Sequence, residues 1–177
     1  MGIFDGIGAA NARGNGSTKG EYFQPGTYRV AVQRHILKNE LMRGKFEGES
    51  AVIVETTIKE VLNTGCTVDG EAVTPNNVGA KATAMFILQR KKSGELTTFG
   101  EIMMERLKGH FAACLDADAR GVEVNEELLE KLFEAGEEVL SGTELFVEAT
   151  QRMTRPKDGR PGTAITELYW KRAPQSA

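Results

Sequence analysis

At Thr98 the chain switches from a two-residue to a helical period, and the runs on either side of that switch restrict the fold more than any other feature. Phe99, Ile102, Met103, Leu107, Phe111 and Cys114 form one helical stripe. Thr98 and Glu101 match the T-x-x-E capping box, so a helix is predicted over 98–116. Three strand-like runs precede it. In the first, after the Pro25-Gly26 turn, Tyr28, Val30, Val32 and Ile36 share a face, with Arg29, Gln33 and His35 opposite, to about Lys38. The second runs from Ala51 to about Leu62, with Val52, Val54 and Ile58 alternating. The third covers Lys81 to Arg90, and its apolar centre Ala84-Met85-Phe86-Ile87-Leu88 predicts a central strand.

After the switch, Asn125 caps a second predicted helix with Leu128, Leu129, Leu132 and Phe133 inward and glutamates outward. Glu126 and Glu127 in its first turn suit the helix dipole, and Gly136 ends it. A long hairpin closes the chain. Leu145, Val147 and Ala149 alternate with Glu144, Glu148 and Arg152, a Pro- and Gly-rich loop follows from Met153 to Thr163, and the second strand ends in Tyr169-Trp170. Asn63 to Ala80 reads as an extended loop or small hairpin. Three strands, a helix, then two strands is the order of an OB-fold. The prediction is a mainly β, α+β domain: a five-stranded OB-like Greek-key barrel, a plug helix between strands 3 and 4, and an additional acidic helix. Residues 1–20 are small and polar in their second half and read as a flexible arm, 21–172 as the domain and 173–177 as a short tail.

Charge bears on function through its placement. The net charge is −3, yet Arg155, Lys157 and Arg160 crowd the closing loop against a single acid, Asp158. A local patch rather than the total sets affinity for a polyanion. In an OB-fold the ligand lies across strands 2 and 3, between the 1–2 and 4–5 loops. Here those loops are 39–50, with Arg43, Lys45 and Phe46, and 153–163 with its three cations. The expected groove therefore has two basic rims, with Lys91 and Lys92 near its mouth. Cations follow phosphates and aromatic faces stack on bases. Phe46 is the candidate stacker in the first loop. Tyr169 and Trp170 face opposite ways on the last strand, so at most one faces the groove, and Trp170 could instead fill the core. Arg29 and Arg152 complete the predicted set.

The stretches Tyr22-Phe23-Gln24-Pro25-Gly26-Thr27-Tyr28-Arg29-Val30, Gly142-Thr143-Glu144-Leu145-Phe146-Val147 and Tyr169-Trp170 resemble small bacteriophage-encoded single-stranded DNA-binding proteins of the OB type, over roughly residues 21–172. The resemblance implies sequence-independent coating of single-stranded DNA in phage replication or recombination, in the cytoplasm of a bacterial host. It implies replication or recombination proteins as further partners, a monomer or homodimer, and no cofactor. Many such proteins end in an acidic tail; this chain ends Lys171-Arg172-Ala173-Pro174-Gln175-Ser176-Ala177. The alternative is a non-catalytic protein-interaction module, a host-factor inhibitor or scaffold that uses the acidic helix.

No membrane-length apolar run, signal peptide or complete myristoylation motif occurs, and mean hydropathy is −0.32. Cys66 and Cys114 follow neither a disulfide framework nor a zinc spacing. A soluble protein of a reducing compartment is expected. Gly16-Ser17-Thr18-Lys19-Gly20 has the wrong order for a phosphate loop. His110 beside the helical stripe reads as a packed core histidine, and no nucleophile elbow or H-E-x-x-H occurs. Asp116 and Asp118 at a helix end are the nearest approach to a carboxylate pair. No catalytic or metal-binding residue is expected.

Overall fold

The computed structural model describes residues 21–63, 67–68, 71–162 and 164–174, and these carry eight strands and three helices. The predicted arm lies outside the described residues. The strands are β1 (Glu21–Tyr22), β2 (Gly26–Lys38), β3 (Ser50–Asn63), β4 (Thr67–Val68), β5 (Glu71–Ala72), β6 (Lys81–Leu88), β7 (Glu144–Met153) and β8 (Ala164–Arg172). The helices are α1 (Thr98–Leu115), α2 (Ala117–Arg120) and α3 (Glu126–Ala135).

The five long strands form an open antiparallel sheet in the order β6-β3-β2-β7-β8, and β1 adds in parallel to the edge of β6. β4 and β5 make a separate two-stranded hairpin. The result is an α+β fold in which the long strands, α1 and α3 follow the expected order, with β1 and the short α2 added. α1 packs against both β6 and β8, which stand near opposite ends of the sheet order. Among the described residues no ladder joins β8 to β6.

Breaks in register bend the sheet. Val32 pairs with Thr56 and Arg34 with Glu55, leaving Gln33 as an extra residue on β2. Such a bulge reverses which face the following side chains take. Tyr28, Val30 and Val32 point inward as the alternation predicts, but beyond Gln33 it is His35 that turns inward and is buried. The assignment of His35 to the polar face is corrected by this one-residue insertion.

The core gathers Tyr28, Val30, Val32, Val52, Val54 and Ile58 from β2 and β3, Phe86 from β6, Leu145 and Val147 from β7, and Met103, Leu107 and Phe111 from α1. Ile102, expected on the helical stripe, is exposed. The N-cap of α1 is Thr97, one residue earlier than the T-x-x-E pattern suggests; its hydroxyl accepts from Gly100 N at 3.0 Å. Alanine at Gly100 would drive its Cβ to 2.2 Å from Gln89 O, so this turn needs glycine to approach β6. Asn125 caps α3 as expected, accepting from Leu128 N at 3.0 Å. Ala173, read as tail, is buried, and its N–H donates to Glu144 O at 3.2 Å. No helix among the described residues is long and apolar enough to cross a membrane.

Candidate nucleic-acid interface

The closing hairpin owes its shape to its turn. Asp158 and Gly159 both have positive φ, 51° and 72°. That is the backbone of a type I′ turn, for which Asp-Gly is a preferred pair. Lys157 N donates to Arg160 O at 3.2 Å and Arg160 N to Lys157 O at 3.0 Å. The two cations therefore form a directly opposed pair, with side chains on one face of the ribbon. Like charges set opposite each other cost stability. At the base of the loop, a Cβ on Gly162 would sit 1.9 Å from Thr154 O, so the two limbs close only over glycine.

Register positions the two basic loops relative to each other. Lys38 pairs with Ala51 at one end of β2, where the 39–49 loop leaves. Gly26 pairs with Ala149 at the other end, and β7 continues beyond it to Met153 before the second loop begins. The loops thus emerge from opposite ends of a 13-residue strand, which spans roughly 40 Å at the usual rise. Lys91 and Lys92 join Arg43 and Lys45 at the first end, where Arg90 N donates to Glu49 Oε2 at 3.1 Å and ties the turn after β6 to the 39–49 loop.

The predicted residues differ in availability. Arg43, Lys45, Lys92, Arg155, Lys157 and Arg160 are exposed, and none takes part in an ion pair among the described residues. Lys91 Nζ lies 3.9 Å from Glu95. Arg29 is committed: its guanidinium donates to Glu144 Oε2 at 2.7 Å and to Pro174 O. Arg152 donates to Glu167 Oε1 at 2.7 Å. Glu167 also receives Arg106 from α1 at 3.4 Å and the Tyr169 hydroxyl at 3.2 Å. Burial alone would raise the Glu167 carboxyl, but the Arg152 hydrogen bond and the charges of Arg106 and Arg152 outweigh it and hold it below the usual carboxylate range.

Two aromatic assignments are revised. Phe46 is buried and stacks on Phe99, ring centroids 6.4 Å apart and planes 3° from parallel, while Lys45 Nζ sits 5.7 Å from its ring centroid. Its ring packs the loop onto the core and is closed to a base. Trp170 turns inward, edge-on to His110 at 4.4 Å and to Phe23 at 5.8 Å. Tyr169, 54% exposed, is the aromatic of the predicted set that faces solvent.

A second cluster was not legible as a site in the sequence. His35 from β2 and His110 and Cys114 from α1 meet in the core. Their only sequence signal was the four-residue spacing of His110 and Cys114, which puts both on one face of a helix. Burial pushes His35 down to about 4 and, with the charge of His35, holds His110 well below its ordinary value. Burial pushes the Cys114 thiol up to about 12, partly offset by Arg172.

Comparisons with family models, with curated proteins and with solved structures returned no match.

Proposed function

We propose that the chain is a non-catalytic single-stranded DNA-binding protein that coats DNA without sequence preference, in phage replication or recombination. In this reading the sheet is an OB-like Greek-key arrangement and α1 is its plug helix. The observation that carries the reading is the Lys157–Arg160 pair. A preferred turn holds two like charges opposite each other at an exposed tip, and neither has an ion-pair partner among the described residues. A phosphate chain offsets that repulsion, and releasing its counterions drives binding. Arg155 extends the patch, Tyr169 supplies the exposed ring for stacking, and Arg43, Lys45 and Lys92 form a second basic end for the same strand. Arg29 and Arg152 act instead as scaffold, through their carboxylate partners.

Titration with oligo-dT at low salt tests this. Binding that shifts intrinsic fluorescence is expected in the natural chain and is expected to vanish in Arg155→Glu/Lys157→Glu. Unchanged binding in that variant, or none in the natural chain, overturns the reading.

One observation favours a second reading, a protein-interaction module. α3 carries exposed glutamates along its outer face beside a cleft of about 820 Å³ lined in part by Leu37, Leu88, Leu129 and Phe133. Under that reading a partner is captured from nuclease-treated host lysate, and the loop variant leaves capture unchanged.

A further inference from the structure

The buried cluster of His35, His110 and Cys114 has the chemistry of a ligand set. His35 Nε2 lies 2.8 Å from His110 Nε2, and Cys114 Sγ lies 3.4 Å from that same nitrogen. A neutral imidazole nitrogen offers either one lone pair or one hydrogen. His110 Nε2 cannot satisfy both neighbours at once, while Nδ1 of each histidine is buried with no hydrogen-bond partner. The donor atoms converge on a point instead of pairing outward. All three lie within 4.8 Å of one another and all three residues are buried.

We infer that His35 Nε2, His110 Nε2 and Cys114 Sγ form a binding site for a Zn²⁺-class divalent ion. Two imidazoles and a thiolate suit that borderline-soft ion. In a tetrahedral set the nitrogens stand about 3.3 Å apart and nitrogen about 3.6 Å from sulfur. The structure sets the two nitrogens 2.8 Å apart and one nitrogen 3.4 Å from sulfur, so an ion would open the first pair by about 0.5 Å and leave the second nearly unchanged. Both histidines take the Nδ1–H tautomer, presenting their Nε2 lone pairs to the ion. The sulfur–metal bond forms as the thiol gives its proton to solvent, so each ion bound releases one proton.

The surroundings are dry. Phe111 stacks on His35 at 4.9 Å, Phe86 lies 5.9 Å from His110, and Trp170 closes the side towards the β8 end. Within such a shell an ion enters as the protein folds. It would clip β2 to α1 across a sequence separation of 75, joining the sheet to the helix packed against it.

The experiment uses the full chain with Cys66→Ser, so that any thiolate signal comes from Cys114. The chain is refolded from urea with Co²⁺ and a non-thiol reductant, and circular dichroism checks the fold. A thiolate-to-cobalt charge-transfer band that saturates at one equivalent and is displaced by Zn²⁺ is expected. The band is expected to be absent from the further variant Cys114→Ala, and Zn²⁺ should raise the urea midpoint only where Cys114 is present. His35→Gln, which keeps the thiol, should weaken Co²⁺ binding by at least about tenfold. No band in the folded Cys66→Ser chain, or an equal Zn²⁺ stabilisation with and without Cys114, overturns the inference.

Discussion

Lys157 and Arg160 exchange backbone hydrogen bonds across a two-residue turn, so two cations stand opposed at the exposed tip of the β7–β8 hairpin. The salt dependence of binding follows from the count of available cations. With Arg43, Lys45, Lys92 and Arg155, the pair makes six cations of the predicted interface that are exposed and outside ion pairs among the described residues. Single strands release about 0.7 counterion per phosphate neutralised, so log K against log salt should fall with a slope of roughly −4. In Lys157→Ala/Arg160→Ala the slope should flatten by roughly 1.4. A slope unchanged by that variant would remove the tip from the interface.

Tyr169 and Phe46 should separate stacking from packing. Tyr169→Ala touches an exposed ring, so its urea midpoint should change by less than the equivalent of about 0.5 kcal/mol. Its oligo-dT affinity should fall about tenfold, the scale of one lost base–aromatic stack. Phe46→Ala empties a core position and should cost about 3 kcal/mol of stability. Equilibrium unfolding and titration of both variants check the pair, and an affinity loss confined to Phe46→Ala would reverse the roles.

Local chemistry was legible in the sequence; juxtaposition was not. The periods of β2, β3, α1 and α3, the Asn125 cap and the closing hairpin follow from side-chain alternation and turn residues. The inward turn of His35 depends on a bulge at Gln33, which alternation alone cannot signal. Arg29 read as a free cation because Glu144, its partner, is 115 residues away. Phe46 read as open because a loop aromatic carries no mark of the Phe99 ring it meets. The meeting of His35 with His110 and Cys114 likewise comes from how the helix seats against the sheet, not from any spacing.

Gly162 should control the hairpin tip without touching the core. Its Cβ position falls 1.9 Å from Thr154 O, so Gly162→Ala must push the two limbs apart. Neither Gly162 nor Thr154 belongs to the core cluster, which keeps its packing. Limited proteolysis should then cut faster within 154–162, oligo-dT affinity should drop, and the α1 helical signal should remain. Protection equal to that of the natural chain would show that the loop closes another way.

Glu167 should set part of the acid limit of stability. Its carboxylate receives Arg152 and Arg106, and its proton affinity in the folded chain lies below the ordinary value of 4.5. A carboxyl whose folded pKa is depressed stabilises the fold above its unfolded pKa, and that contribution disappears as pH falls through the folded pKa. The natural chain should therefore lose stability as pH drops below about 4.5, where the unfolded chain takes up the proton more readily. Glu167→Gln removes this titration, so its stability should be lower than the natural chain's at neutral pH and the gap should narrow in acid. Because Arg106 belongs to α1 and Arg152 to β7, the lost stability should appear as freer exchange where the helix meets the β7–β8 ribbon. Urea midpoints of both chains from neutral pH down to the acid transition provide the check, and a gap that stays constant across the range would mean that Glu167 acts there through packing alone.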